Sequence, residues 1–331
     1  MSFLAKAFRA AMTHIGVCVA LLSLTLPSGA QTYPDRPVRL IVPLAAGGAT
    51  DVFARAIAQG WSEMWGQPVI VENKPGANQI VGMEYGAHAK PDGYTIILTG
   101  EAGITFNKYM YSKLPYDTLR DFAGISRLVE VKAFLAVPAS LPANNAKEFV
   151  DLMNKQNGKL NYGSPGVGDP MHVGMEWFKN TAKVNVLHVP YKGSAAALQG
   201  MLSGEVQAMI TSALSVGQQI EAGKVKVIVV SGGRRFPAFP NVQTLAEAGY
   251  PDVKFGYYLA LLAPSGTPQA ILQKISADTK KIMTNPAFRA KYVDPYDSEL
   301  VNDTPEEFSA FLKRDMVAAE EKIRISGAKL D

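Results

Sequence analysis

The chain has little with which to do covalent chemistry. Its single cysteine, Cys18, lies inside an apolar run near the start, so the rest has no disulfide, thiol nucleophile or cysteine metal site. Of four histidines, the three beyond that run (His88, His172 and His188) lie far apart without a His-x-x-x-His pair, which argues against a metal centre. No Gly-x-Ser-x-Gly elbow marks a serine hydrolase. Gly217 to Lys224 imitates a phosphate loop, but five residues separate its glycines and Val225 follows the lysine. Gly166-Val167-Gly168 begins a dinucleotide fingerprint that Met171 breaks. Repeats, low-complexity tracts and runs of like charge are also missing. The formal charge of +4 leaves no footprint for nucleic acid. No cofactor, metal or nucleic-acid partner is expected.

What is present begins with an export signal. Lys6 and Arg9 precede an apolar run from Ile15 to Leu26, and Ser28-Gly29-Ala30 supplies small residues for cleavage after Ala30. The run is shorter than the ~20 residues of a membrane span. Removing Lys6 and Arg9 leaves a mature charge of +2, and the mature length exceeds what one hydrophobic core usually serves. Two domains and an exported protein are expected.

The organising stretch is PLAAGGATD, residues 43–51, between a strand at 38–42 and a helix from Asp51. Gly47 and Gly48 allow a tight turn and a close approach to a guest. Thr50 or Asp51 is placed to cap the helix, whose free N–H groups and positive dipole end suit a carboxylate or phosphate. Helical spacing of Val52, Phe53, Ala56, Ile57, Trp61, Met64 and Trp65 continues to 65, with the tryptophans read as core. Strands at 69–71 and 94–99 flank a helix at 79–89, a pattern that implies a parallel sheet with helices on both faces.

A second α/β series follows, with strands at 160–163, 186–189, 206–210 and 225–230 alternating with helices to 222. Extended runs at 129–138 and 254–263 flank this block, as expected of two strands crossing a hinge between domains. Ligands of open α/β sheets bind beyond the C-terminal strand ends, which directs loops 45–51, 99–103, 164–170, 190–194 and 211–213 to one cleft. Asp169-Pro170 reads as helix cap and first-turn proline, and Thr304-Pro305-Glu306-Glu307 as a capping box. Glu101 and Asp169 are the carboxylates that could meet across such a cleft, as a hydrolase would need.

Many segments, in order, match one family. Tyr33-Pro34-Asp35-Arg36-Pro37-Val38 leading to PLAAGGATD, GQPVIVENKPGA (66–77), KPDGYTIIL (90–98) and LPYDTLRDFAGIS (114–126) are joined by NGKLNYGSPGVG (157–168) and HVPYKGSAAAL (188–198). PNVQTLAEAGYP (240–251), LLAPSGTP (261–268) and TPEEFSAFL (304–312) complete the set. The chain thereby resembles the Bug family, periplasmic receptors of tripartite tricarboxylate transporters. The resemblance implies an α/β, two-domain class II periplasmic-binding-protein fold, two doubly wound sheets joined by a crossing-strand hinge. Its expected parts are a signal peptide over 1–30, domain 1 from 31–129 plus 259–331, and domain 2 from 130–258.

It also implies a monomeric, non-catalytic receptor that closes on a small organic carboxylate and delivers it to a membrane permease. In the family the first loop holds the carboxylate through main-chain groups, here Ala45, Ala46, Gly47, Gly48, Ala49 and Thr50. The glycine-rich loop of the second domain (Ser164, Gly166, Val167, Gly168 and Asp169) contributes from across the cleft. Gly100, Glu101, His172, Tyr191 and Thr211 complete the candidate ligand contacts. Members often carry serine or threonine where Glu101 and Asp169 stand, and aspartate where Gln207 and Thr211 stand. Two added carboxylates favour a ligand with one carboxylate plus a hydrogen-bond donor. Alternatives are a sensor subunit for a membrane kinase, or a periplasmic hydrolase using Glu101 and Asp169.

Overall fold

The computed structural model describes residues 33–296 and 298–330. The expected export segment, with Cys18 and the cleavage point at Ala30, lies outside them.

The first lobe opens with β1 (Val38–Val42), α1 (Ala49–Trp65), β2 (Val69–Asn73), α2 (Ile80–Ala87) and β3 (Thr95–Gly100). A π-helical turn, Ala102–Phe106, runs into α3 (Asn107–Met110), followed by α4 (Thr118–Asp121) and the long β4 (Phe122–Lys132). The second lobe holds β5 (Phe134–Pro138), α5 (Ala146–Gln156), β6 (Asn161–Ser164), α6 (Pro170–Ala182) and β7 (Leu187–Pro190). It continues through α7 (Ser194–Leu202), β8 (Ala208–Thr211), α8 (Ala213–Glu221) and β9 (Val225–Val230). The chain returns on β10 (Gly256–Pro264) and ends with α9 (Gln269–Thr284), α10 (Pro286–Tyr292), β11 (Glu299–Leu300) and α11 (Pro305–Ser326).

Two sheets result, ordered β11-β4-β10-β3-β1-β2 and β7-β6-β8-β5-β9. Their cores, β3-β1-β2 and β7-β6-β8, are parallel as the βα alternation requires. The sheets as wholes are mixed rather than parallel, because β10 joins β3 and β5 joins β8 in antiparallel sense. The crossing strands enter each sheet from the opposite end, and that fixes their direction.

Only Ala133 separates β4 from β5, so one extended stretch passes from the first sheet to the second. It starts at Phe122, earlier than the run expected from Val129. Gly124 and Ser126 hide the strand in the sequence, and pairing with β10 creates it. At the junction Gly256 takes φ +119°, and a Cβ there would stand 2.5 Å from Val131 O, so only glycine passes. Ser231 ties the crossing together: its N–H donates to Ala133 O at 3.0 Å and its Oγ accepts from Phe255 N–H at 2.9 Å.

Each lobe has its own apolar core. Trp61 on α1 is fully buried, stacks on Trp65, and donates to Thr279 Oγ1 at 3.1 Å. Both side chains are packing groups, as their spacing predicts. Phe149, Tyr162, Met175 and Phe178 centre the second core. Each such side chain contributes roughly 1.5–3 kcal/mol by leaving water. A further cluster joins Phe106 and Met110 of the first lobe, Val173 on α6, and Ala319 and Ile323 on α11. The capping box at Thr304 and Glu307 starts α11 where the sequence places it. Its far end accepts a bond from Asn180 of α6 at Ile325 O. Among the described residues no helix is long and apolar enough to cross a membrane.

Candidate functional site

The loop after β1 turns at Gly47, which has φ +82°. Helix α1 starts at Ala49 with Gly48 as N-cap, two residues before the start expected at Asp51. Neither Thr50 nor Asp51 is the cap. Asp51 sits at the third helical position and folds back to accept from Gly47 N–H (2.9 Å), Arg55 Nε (3.0 Å) and Asn73 Nδ2 (2.9 Å). Burial pushes its carboxyl up, and the bonds from Arg55, Gly47 and Asn73 outweigh this, holding it below the usual range. Glycine at the cap offers no side chain to the first-turn N–H groups. Ala45, Ala46, Gly47 and Gly48 are exposed, Ala49 is half-buried and Thr50 is buried. The loop thus presents backbone at the positive end of a helix of 17 residues, the arrangement that receives an anion.

Beyond the neighbouring β3, Gly100 packs its backbone against Tyr258 O and is followed by Glu101, which is buried. The Glu101 side chain turns to α11 and forms an ion pair with Lys322, whose ammonium also lies 4.0 Å from Asp315. Burial raises the Glu101 carboxyl well above its ordinary value, against the pull of Lys322. Tyr258 OH donates to Asp315 at 2.8 Å, closing a buried network behind the strand end.

The sequence gives no warning of the loop before α2. Gly76, Ala77, Asn78 and Gln79 all have positive φ (136°, 44°, 49° and 77°). A run of left-handed non-glycine residues is strained and is kept where surrounding contacts impose it. Here Asn78 Nδ2 donates to Asn107 Oδ1 at 2.9 Å, Asn107 Nδ2 donates to the main-chain O of Asn78 at 2.8 Å, and Gln79 accepts from Thr99 at 2.5 Å.

In the second lobe, the loop 164–170 meets this one. Gly168 has φ +79°, and a Cβ there would lie 2.6 Å from Met110 Sδ and 2.9 Å from Asn78 Nδ2. Glycine is therefore required twice, by conformation and by closeness. Asp169 caps α6 by accepting from Met171 N–H at 2.8 Å, with Pro170 in the first turn, as the sequence predicts. Burial raises its carboxyl to about 6, opposed by that bond. Glu101 and Asp169 are thus each engaged within their own lobe, one by Lys322 and the other as a cap.

Sequence separation hides a further association. His172 and His188 lie with ring centroids 4.1 Å apart at a tilt of 32°, and Tyr162 stacks on His188 at 4.8 Å. Ser164 Oγ is 2.6 Å from His188 Nε2, and Gly168 N–H donates to His172 Nδ1 at 3.3 Å. Burial lowers both imidazoles to about 4, with the neighbouring Lys179 and, for His188, the other histidine acting in the same sense. His188, by sequence a plain strand residue, supports the same loop as His172. By contrast His88 is exposed at the end of α2, far along the chain from both. No group of three or more His, Cys, Asp or Glu among the described residues could hold a metal ion.

The other candidates divide. Tyr191 N–H donates to Ser164 O at 3.0 Å, but its ring packs under α7 against Gly163 and Gly200. Thr211, buried at the end of β8, leaves its Oγ1 without a partner in the protein. Gly166 and Val167 are half-buried and Ser164 is fully buried. A groove of about 840 Å³ is lined by Arg36, Arg39, Lys74, Tyr85 and Tyr94, at the N-terminal ends of β1 and β3. It is distinct from these loops, and its Arg36 is paired with Asp92, its Arg39 and Lys74 with Glu72.

Two α/β lobes joined by crossing strands, with glycine loops at the strand ends, define a periplasmic-binding-protein fold. A family profile described as "Tripartite tricarboxylate transporter family receptor" matches residues 53–326, and the chain belongs to that family. It is 42% identical over 272 residues to a UPF0065 protein of Bordetella pertussis, covering 82% of this chain and 83% of that one. The structure of the periplasmic binding protein BugD superposes with a TM-score of 0.81 at 31% identity, over 90% of this chain and 99% of that one. The R. palustris protein Rpa4515 with adipate gives 0.84 at 28% identity, over 90% and 100%.

Proposed function

We propose that this chain is an exported, periplasmic solute receptor that captures a small organic carboxylate by domain closure and hands it to the permease of a tripartite tricarboxylate-type transporter. The observation that carries the reading is the exposed backbone of Ala45–Gly48 at the start of α1, where no side chain caps the helix. An anion placed there meets first-turn N–H groups that have no acceptor within the helix. Residues 164–169 and Thr211 cover it from the second lobe, the latter with its unpaired hydroxyl. Residues 31–129 with 259–331 move against 130–258, and Ala133 and Gly256 mark where the chain changes sheets. The chain works as a monomer and without catalysis, its buried Glu101 being committed to Lys322.

That commitment alters the choice of ligand. With the Glu101 side chain turned to Lys322, one of the two added carboxylates no longer stands against a second negative group, so both mono- and dicarboxylates enter the candidate class. Adipate, the molecule named with the R. palustris protein, is one to try. Thermal unfolding of the ligand-stripped protein against a panel of aliphatic, aromatic and amino carboxylates tests the reading. A ligand at ~100 times its dissociation constant adds roughly 2.7 kcal/mol, or about 5 to 10 °C. A selective shift with the compound recovered intact supports it; shifts by non-acids alone, or consumption of the compound, refute it.

A further inference from the structure

The glycine-rich loop of the second lobe contains no regular hydrogen-bond ladder of its own, yet two imidazoles hold it at two points. Gly168 N–H can only donate, so its 3.3 Å bond to His172 requires a lone pair on Nδ1. Ser164 Oγ accepts from Gly166 N–H at 3.2 Å. The hydroxyl donates to Gly166 O at 3.1 Å and lies 2.6 Å from His188 Nε2, a contact that either tautomer of the ring can make. The ring centroids are 4.1 Å apart, so a charge on one opposes a charge on the other. Gly168 is the residue of this loop that touches Met110 and Asn78 of the first lobe.

We propose that His172, backed by His188, is a positioning residue that holds Gly166–Asp169 in its ligand-closing form while the His172 ring is uncharged, so that acid loosens the grip on the carboxylate. This rests on the receptor reading for the ligand but on the protein alone for the loop. A proton on His172 Nδ1 points at the Gly168 N–H and removes its acceptor. The ionisable groups facing the pair are Tyr162 on β6 and, along α6, Glu176 and Lys179. Glu176 is already engaged by Lys179 at 2.7 Å and by the Tyr162 hydroxyl, so it is not free to neutralise a new imidazolium. Burial and Lys179 keep both rings uncharged through the ordinary histidine range.

Two substitutions separate chemistry from shape. His172→Asn puts an amide oxygen near the place of Nδ1 and cannot titrate, whereas His172→Leu supplies no acceptor. NMR of the ligand-free, nitrogen-15-labelled protein should show the Gly168 amide moving together with the His172 ring as pH falls. In His172→Asn that amide should stay still. With the panel carboxylate that gives the largest thermal shift, His172→Leu should bind about tenfold more weakly at neutral pH, the loss expected of one hydrogen bond. Between neutral and acid pH, His172→Asn should lose a smaller fraction of its own affinity than the natural protein loses. A Gly168 amide indifferent to the His172 titration overturns the proposal whether or not any ligand is known. An unchanged acid dependence in His172→Asn overturns it too. A protein that binds no carboxylate at neutral pH refutes the receptor reading instead, and the amide titration still judges the histidines.

Discussion

The two glycine loops at the strand ends of the lobes are built by opposite means. The loop of the first lobe, 43–51, is exposed at its turn and held from below by one buried carboxylate, Asp51, which is engaged by Gly47, Arg55 and Asn73. The loop of the second, 164–170, is mostly covered and held from behind by two adjoining histidines and a capping aspartate. The first has a left-handed glycine in open space, since a Cβ at Gly47 would meet nothing within 4 Å. At Gly168 the same geometry meets Met110 and Asn78 of the other lobe. The first loop leaves its backbone bare, whereas the second is fitted against Met110 and Asn78. With support of such different kinds, side-chain changes should be felt mainly in the second.

Gly168→Ala should have the largest effect. Left-handed alanine costs roughly 1–2 kcal/mol, and the contact with Met110 and Asn78 adds overpacking of about 1–3 kcal/mol when the lobes meet. Ligand affinity should therefore fall more than chemical stability does, by about tenfold or more; equal losses in titration calorimetry and urea unfolding would show that the contact is not specific to closure. Glu101→Gln should have a moderate effect, confined to pH dependence. Burial raises this carboxyl, so the folded state holds its proton where the unfolded state has lost it. Stability from this group is present below the ordinary value of 4.5 and is lost as pH rises through the raised one. The difference in urea midpoint between natural and variant proteins should follow that slope, with ligand preference unchanged. A changed preference would place Glu101 at the ligand. Ala46→Ser should do least, since its loop acts through backbone: affinity within about twofold by the same calorimetry, as for exposed substitutions generally. A larger loss would mean that side chains also grip in the first lobe.

Much of this architecture was legible in the residues. The βα alternation set two parallel-cored sheets, the runs at 129–138 and 254–263 marked the crossing strands, and Asp169-Pro170 and Thr304-Pro305 marked two helix starts that the structure retains. These are local signals, carried by neighbours within a turn or a strand. The helix start at Ala49 is not legible, because Asp51 looks like a cap in sequence while Gly47 and Asn73 claim its oxygens in space. The left-handed run at 76–79 had no signal beyond Gly76, since Ala77 and Gln79 do not favour that conformation and only Asn107 and Thr99 hold it.

The sequence by itself determined the kind of fold, the order of its elements and the loops that strand ends bring forward, because periodicity and glycine or proline placement act over a few residues. Tertiary structure alone decided which side chains those loops can spare. It turned Glu101 away to Lys322, which lies on the last helix, and it brought His172 against His188, which lies on a separate strand. Charge pairing and ring contact depend on distance in space, and no spacing along the chain records it.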